Sequence, residues 1–452
     1  MPIPVIVIFD VGKTNKKLFL FDEKYVIVYE ENIQLPETVD EDGDPCEDLS
    51  LLTEWIKNSV EKLATFTEFI IKAINFSAYG ASMIHLNKEG KALMPLYNYL
   101  KPYPENLSDD FYVAYGGKLL LGTQTASPVT GNLNAGLQLY RIKKQNPLLF
   151  QNIHTSLHLP QYLSFLVTCR KFSDMTSIGC HTALWDFQIK DYHHWVYKEE
   201  IHQKLALIKF GEQIIKMAFP GATYIAGIGL HDSSAALIPY LKFFTSPFVL
   251  ISTGTWCITL NPFNHTALTE FELQNDCLAY ISYQGQTVKA SRLFAGFEHD
   301  RQVKYLSLFY SKPIDFYKQV SYDSDLIRDR NIKNQHADDI QQWLPLNLDS
   351  FNTYEEAYHE LMKSIVDKQI ISTNLVLRNT EVKQIYVDGG FSKNTIYMNL
   401  LAQAFPDIAV FASTVAQSTA LGAAIAMHDE WNAHPLAEDM ILVKRYNALG
   451  HI

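Results

Sequence analysis

The segment "VIVIFDVGKTNKKLFLFD", Val5–Asp22, contains Gly12-Lys13-Thr14, the last three letters of a phosphate-binding P-loop. A P-loop requires Gly-x-x-x-x-Gly-Lys-Ser/Thr between a strand and a helix. Here Val7 stands where the first glycine belongs, and the apolar run Lys17–Phe21 reads as a strand. The motif therefore fails on residue and on context. What remains is strand, Asp10-x-Gly-x-Thr, strand, a β-hairpin whose turn holds Gly12 and Asn15. Backbone N–H groups in such a turn can hold phosphate oxygens. Asp10, at the strand end, suits a hydrated Mg2+, and Lys13, Lys16 and Lys17 could offset phosphate charge. Taken alone, the same letters serve equally well as an ordinary hairpin with surface lysines.

Two further segments bear on that choice. "FVLISTGTWCITLNPF", Phe248–Phe263, repeats the order of apolar strand, turn with Gly and Thr, apolar strand. Gly12 and Gly254 occupy matching places. "VDGGFSKN", Val387–Asn394, puts Gly389 and Gly390 where backbone can approach a flat ligand, with Asn394 available to hydrogen-bond it. A nucleotide clamped between two halves needs three such elements in this order. Between them, "GLHDSSAAL" places Asp232 at a helix start, where it would cap the helix if nothing else recruited it.

The whole chain fits this division. At 452 residues it is long for one domain, and 47% hydrophobic residues supply two cores. The boundary falls near residues 240–247, giving halves of 1–243 and 244–452. A net charge of −11 argues against nucleic acid or an anionic membrane as partner. Five scattered cysteines without CxxC spacing fit a reducing compartment. The start "PIPVIVIF" has no basic region before it, so it does not read as a signal peptide. No run of about 18 uncharged apolar residues suggests a membrane span, and the expected location is cytoplasmic. "LSLLTEWIKNSVEKLATF" has helical spacing through Leu52, Ile56, Val60 and Leu63. "FIIKAINFSAYG" is a strand ending in Tyr79-Gly80. "GLQLYRIKKQNPLLF" and "LPQYLSFLVTCR" read as helices, and "STALGAAIAM" as a small-residue helix suited to close packing. The acidic stretch Glu37–Ser50 reads as a solvated loop.

Together the three turn segments resemble the actin-like ATPase superfamily and, within it, the FGGY carbohydrate kinases. The match runs through Asp10–Thr14 as first phosphate segment, Ser252–Trp256 as second, and Val387–Asn394 as adenosine segment. "DMTSIGCHTALWDF" and "GLHDSSAAL" also look like family segments, so the likeness covers nearly the whole chain. It implies an α/β fold of two ribonuclease-H-like domains with a central cleft. It further implies an ATP-dependent kinase using ATP and Mg2+, with sugar held mainly by the first domain. Nucleotide contacts fall on Gly12, Lys13, Thr14, Asn15, Lys17, Thr253, Gly254, Thr255, Gly389, Gly390 and Asn394. Asp10 is the Mg2+ residue, through water. Asp232 becomes the general base for the attacking sugar hydroxyl, and Tyr79, Gly80, His231 and Asp232 contact sugar. His231 orients Asp232, touches sugar or is structural; Tyr79 packs on a sugar or is a strand-end core aromatic.

The pattern Tyr79-Gly80 with "HDSSAA" and "STGTW" is most similar to rhamnulose and L-fuculose kinases, so a 6-deoxyhexulose such as L-rhamnulose or L-fuculose is favoured. A pentulose, xylulose or ribulose, is the alternative. Departures from those kinases are Ser82 for Asp, Gln161 for Asp, Lys17 for Arg, and loss of their Asn-x-x-Gly-x-Trp region after Trp256. From other classes, an actin-like ATPase with a protein partner would carry a client-binding region, and a sugar-binding regulator would not need both Asp10 and Asp232. Oligomeric state is not legible in the residues; the resemblance offers only that many relatives are homodimers.

Overall fold

The computed structural model describes residues 2–219, 222–327, 341–415, 417–437 and 439–447. The opening stretch is the hairpin of β1 (Ile3–Val11) and β2 (Lys16–Asp22), paired antiparallel with Asp10 opposite Lys17. Val5–Phe9 are all fully buried. That burial on both faces explains the unbroken apolar run, because alternation would expose one side. β3 (Ile27–Ile33) continues the antiparallel edge. On the other side β4 (Phe69–Ala78) runs parallel to β1, followed by β6 (Ala222–Gly227) and β5 (Ile214–Phe219). The first sheet is thus ordered β5-β6-β4-β1-β2-β3, with Leu230–His231 pairing to the end of β4.

The second sheet repeats the plan. β7 (Phe248–Thr253) and β8 (Cys257–Asn261) form its hairpin. β9 (Cys277–Ile281) and β10 (Thr287–Leu293) extend the antiparallel side, while β11 (Gln384–Gly389) lies parallel to β7. β12 (Ala409–Thr414) and β13 (Leu442–Tyr446) complete the order β9-β10-β8-β7-β11-β12-β13. In both sheets the first hairpin strand lies between its partner and a parallel strand. Tyr79-Gly80 after β4 and Gly389-Gly390 at the end of β11 therefore occupy equivalent corners.

Helix α1 (Leu49–Leu63) begins at Asp48, whose carboxylate accepts from Ser50 and Leu51 N–H, and it buries Leu52, Ile56 and Leu63. Helix α2 (Leu159–Thr168) stops at Cys169, which has left-handed φ +56°. The stretch expected as one helix through Phe150 divides into Ala135–Gln145 and Pro147–Asn152. Pro147 has no N–H to continue the ladder, and Asn146 caps the second piece. The acidic stretch is also not a free loop. Glu37–Val39 and Pro45–Glu47 pair as a small hairpin, because the buried Lys101 ammonium draws in Asp40, Asp42 and Asp44 at 2.6–3.0 Å.

In the second half α4 (Ala295–Phe309), α5 (Tyr354–Leu377) and α6 (Thr395–Ala404) precede α7 (Ser418–Ile425), and the two halves meet through α3 (Asp232–Phe243) and α7. One core cluster joins Ile6, Ile8 and Phe19 of the first sheet to Leu250, Leu260 and Leu278 of the second through Ala235, Leu237, Ala420 and Ala423. Small side chains permit the close approach. A Cβ on Gly422 would stand 1.9 Å from the Ala235 carbonyl oxygen. Asn75 of β4 donates to the Ala423 carbonyl at 2.8 Å, tying the first sheet to α7. Among the described residues, no helix is long and apolar enough to cross a membrane.

Two predictions follow from this packing. Gly422→Ala should destabilise the protein by about 1–3 kcal/mol through overpacking; an unchanged urea midpoint would mean that α3 and α7 are not in backbone contact. The second concerns the ribbon of Met83–Leu86 and Thr155–His158, which carries two buried histidines. Burial lowers His85 to about 3 and His158 to about 4. Each is neutral when folded and gains a proton on unfolding below its ordinary value, so stability is lost as pH falls from about 6.5 towards 4. Between pH 7 and pH 5 each should cost on the order of 2 kcal/mol. A His158→Gln variant should show a flatter pH dependence of urea unfolding, and an equal slope would contradict the assignment.

Candidate active site in the cleft

Asp232 is the first residue of α3, and His231 precedes it as the N-cap residue without a side-chain cap bond. The Asp232 side chain does not act as the helix cap. Its Oδ1 accepts from the adjacent Ser233 N–H at 2.6 Å and lies 3.2 Å from His231 Nε2. Its other oxygen has no hydrogen bond to a described residue, and the side chain is 36% exposed. A carboxylate here also sits at the positive end of the helix dipole. His231 is buried, and burial lowers its pKa against the opposing charge of Asp232. The neutral ring can donate from Nε2 to Asp232, which fixes one carboxylate oxygen and leaves the other free. Thr176 Oγ1 accepts the His231 backbone N–H at 2.9 Å, and the Thr176 hydroxyl in turn donates to buried Asp174.

Gly80 explains why no side chain stands at the end of β4. A Cβ there would lie 3.0 Å from both the His231 ring and Cys180 Sγ. Cys180 Sγ is itself 3.2 Å from His231 Nε2, and burial raises its pKa, so the thiol stays neutral. Tyr79 is buried, and its hydroxyl donates to Glu47 at 3.2 Å. Ser82 is also buried. Gln161 donates to the Gly229 carbonyl at 2.8 Å, supporting the turn before His231.

In the first turn the Gly12 N–H closes onto the Asn15 carbonyl at 2.9 Å, with Thr14 and Asn15 exposed at the tip. Asp10 is the penultimate residue of β1, half-buried between the fully buried Phe9 and Val11. Burial, then the nearby charge of Asp232, push its carboxyl up to about 7, while Lys17 pulls it down. Two carboxylates and one cation therefore share this corner. The three lysines have separate fates. Lys13 pairs with Glu37 at 2.6 Å and buried Lys16 with Glu47 at 2.8 Å. Lys17 alone reaches the second half, donating to Gln417 at 3.1 Å. Lys16 thus holds the hairpin in place and is not free to offset phosphate charge.

The second turn closes in the same manner, Gly254 N–H to Trp256 carbonyl at 3.0 Å. Thr253 Oγ1 donates to the Asp388 carbonyl at 2.5 Å and accepts from Phe391 N–H at 3.0 Å. Gly389, at φ +86°, leaves no room for a side chain, since a Cβ would stand 2.0 Å from the Thr253 carbonyl. These contacts frame a cavity of about 630 Å3 lined by Thr253, Gly254, Thr255, Gly390, Phe391 and Asn394. The volume suits a small-molecule ligand. Asn394 contributes structure to this wall. Its Oδ1 caps α6 (Thr395–Ala404) by accepting from Ile396 and Tyr397, and its Nδ2 donates to Tyr358 at 2.7 Å.

Several residues near these groups escaped the sequence reading. Gly296 lines the cavity, and a Cβ there would meet the Gly254 carbonyl at 1.8 Å. Tyr280 of β9 reaches from the second sheet to His231, edge to face at 5.6 Å. Arg292 of β10 is buried, paired with Asp276 at 2.6 Å and set against the Trp256 ring. Tyr99, in the loop after Leu96, meets Tyr79 edge to face at 6.1 Å. None belongs to a motif, and each arrives by long-range packing.

The geometry agrees with known proteins. The N-terminal domain profile of the FGGY family of carbohydrate kinases matches residues 5–209, and the profile of the carbohydrate kinase FGGY C-terminal domain matches residues 245–308. A rhamnulokinase from Halalkalibacterium halodurans is 22% identical over 265 residues, 55% of this chain and 52% of that protein. The chain thus spans about half the length of this curated relative. In fold it is similar to a carbohydrate kinase from Novosphingobium aromaticivorans, with TM-score 0.80 at 20% identity over 99% of this chain and 95% of that one. A ligand-bound xylulose kinase from Lactobacillus acidophilus gives TM-score 0.79 at 15% identity, covering 98% and 94%. With both profiles matched in order and the two-domain actin-like ATPase fold observed, the chain belongs to the FGGY family of carbohydrate kinases.

Proposed function

We propose that the chain is an ATP-dependent kinase that phosphorylates a hydroxyl of a ketose, with Asp232 as general base. The observation that carries this reading is the free Asp232 oxygen at the start of α3, held by His231 within electrostatic reach of Asp10. A carboxylate so placed can orient a sugar hydroxyl and accept its proton. Phosphoryl transfer asks little else of the protein beyond positioning and charge stabilisation.

The other residues divide that work. With the Gly12 and Gly254 N–H groups committed to closing their turns, the N–H groups of Lys13–Asn15 and of Thr255 hold phosphate oxygens from the two sides of the cleft. Lys17 adds a cation near Asp10. The wall of Gly390 and Asn394, behind which Gly389 makes the close turn, receives the nucleoside in the 630 Å3 cavity. Asp10 fits a hard divalent cation: it is an oxygen donor crowded by burial and by Asp232. A hydrated Mg2+ held there supplies neutralisation of phosphate charge. His231, neutral and donating, aims the Asp232 carboxylate. Gly80 lets His231 pack directly against the end of β4, which sets the ring that holds Asp232.

A 6-deoxyhexulose such as L-rhamnulose or L-fuculose is the favoured substrate, supported by Tyr79-Gly80 and by the likeness to a rhamnulokinase. Five free thiols, four of them buried, support a reducing, cytoplasmic setting.

Sugar-stimulated ADP release across pentuloses and 6-deoxyhexuloses tests the activity, and release no greater than in buffer for every sugar would refute it. Asp232→Asn should lower turnover by about 10²–10⁴-fold or more, with nucleotide binding retained in calorimetry. Turnover at the native rate would remove Asp232 from the base role. Asp10→Asn should weaken the Mg2+ dependence of nucleotide binding, and an unaltered Mg2+ titration would exclude Asp10 as the ion's residue.

A further inference from the structure

His231 aims Asp232, yet its own ring lacks the usual means of being aimed. A histidine ring is normally oriented through a hydrogen bond at the nitrogen away from its working one. His231 Nε2 faces Asp232 Oδ1 at 3.2 Å, whereas Nδ1 is buried without a hydrogen-bond partner among the described residues. The backbone of His231 is well held. Its N–H donates to Thr176 Oγ1 at 2.9 Å, and the residue pairs with Ala78 at the end of β4. Neither contact fixes the rotation of the ring, so that task falls to packing.

From the first half, the ring meets the Gly80 backbone, where a Cβ would lie 3.0 Å away, and Cys180 Sγ, 3.2 Å from Nε2. Glycine offers no side chain, and a thiol is a weak hydrogen-bonding group. The large rigid surface against the ring comes from the second half. It is Tyr280 of β9, with ring centroids 5.6 Å apart and planes at 66°.

Tyr280 is itself immobilised. It is buried, and its ring also meets His181 at 6.2 Å. The residues that follow it are stitched into the first half. Ser234 Oγ, in the first turn of α3, donates to the Ile281 carbonyl at 3.1 Å. The Ile281 side chain packs on Gly179, where a Cβ would stand 2.4 Å from it. Gly211 N–H donates to the Tyr283 carbonyl at 2.9 Å, and Gln284 Nε2 donates to Glu212 at 3.2 Å. Phe210 covers Gly285, which turns the chain into β10 at φ +83°. A strand end held at so many points has little freedom to draw Tyr280 away from His231.

We propose that Tyr280 is a positioning residue for the base. Through this ring the second half supplies the wall that keeps His231 Nε2 turned toward Asp232. An edge-to-face pair favours one mutual orientation of its rings, and here it takes the place of the missing bond at Nδ1. The base is thus completed across the junction: Asp232 and His231 come from the first half, and the ring that aims them from the second. Tyr280 acts through His231 and touches no reacting atom in this role. Its catalytic consequence rests on the kinase reading, while the orientation of the His231 ring is measurable without it.

Histidine ring nitrogen-15 NMR of the full chain, with His231 assigned through His231→Gln, is combined with steady-state kinetics on the sugar panel. Wild type should show His231 as a single Nε2–H tautomer. Tyr280→Leu should convert that signal to a mixture of tautomers. It should also lower kcat about 10- to 100-fold, with the sugar and ATP KM changed by less than about twofold. Tyr280→Phe, which keeps the ring, should restore both the signal and kcat. If Tyr280→Leu does not fold, Tyr280→Met fills similar space without a ring and gives the same comparison. A His231 signal that is unchanged without the ring would overturn the proposal, however kcat responds. So would a Tyr280→Phe variant as impaired as Tyr280→Leu, and in both cases the kinase reading stands. A wild type that phosphorylates no sugar of the panel would refute the kinase reading and, with it, the catalytic role given to Tyr280.

Discussion

The contact of α3 with α7 is the constraint on which the rest depends. Gly422 lies against the Ala235 backbone with no room for a methyl group, and this contact joins two sheets of the same plan. The first residue of α3 is Asp232, and the residue just before α7 is Gln417, which accepts from Lys17. The helices that hold the halves together therefore also set the carboxylate and part of the corner proposed to receive phosphate. A shift of one helix along the other would move both. Placing functional groups at the ends of rigid elements gives precision that loops do not.

Around that junction the electrostatics are arranged by burial more than by ion pairing. Asp10 is pushed up to about 7, chiefly by desolvation, and His231 is kept neutral for the same reason. Such shifts gather where charged ligands are to be received. The lysines that look most useful in the sequence mostly answer local needs. Lys16 satisfies buried Glu47, and Lys13 meets Glu37 at the surface. A surface pair of that kind contributes little stability, whereas the buried Lys16 pair fixes the base of the acidic hairpin.

Much of the fold was legible because its signals are local. Apolar runs flanking Gly12 and Gly254 announce two hairpins, and the small residues of Ser418–Ile425 announce a close helix contact. The turn glycines were legible for a related reason: only backbone fits where they stand, as Gly389 against Thr253 shows. What stayed hidden is non-local. Asp40 and Lys101 are 61 residues apart in the chain, and in the sequence their charges look like those of any solvated surface. Tyr280 and Arg292 come from the second sheet and owe their place to pairing registers that no short motif encodes. Asn394 carries a dual signal, because a residue suited to bind a ligand is equally suited to cap α6, and here its side chain caps.

In the proposed reaction the free oxygen of Asp232 delivers a sugar hydroxyl to ATP, and phosphorus-31 NMR of the products, with ATP, Mg2+ and each ketose, follows the phosphoryl group to its acceptor. The expected result is a new phosphomonoester resonance that couples to a sugar carbon, formed in equal amount to ADP and absent with Asp232→Asn. ADP formed together with inorganic phosphate alone, at the same rate with and without sugar, would contradict it.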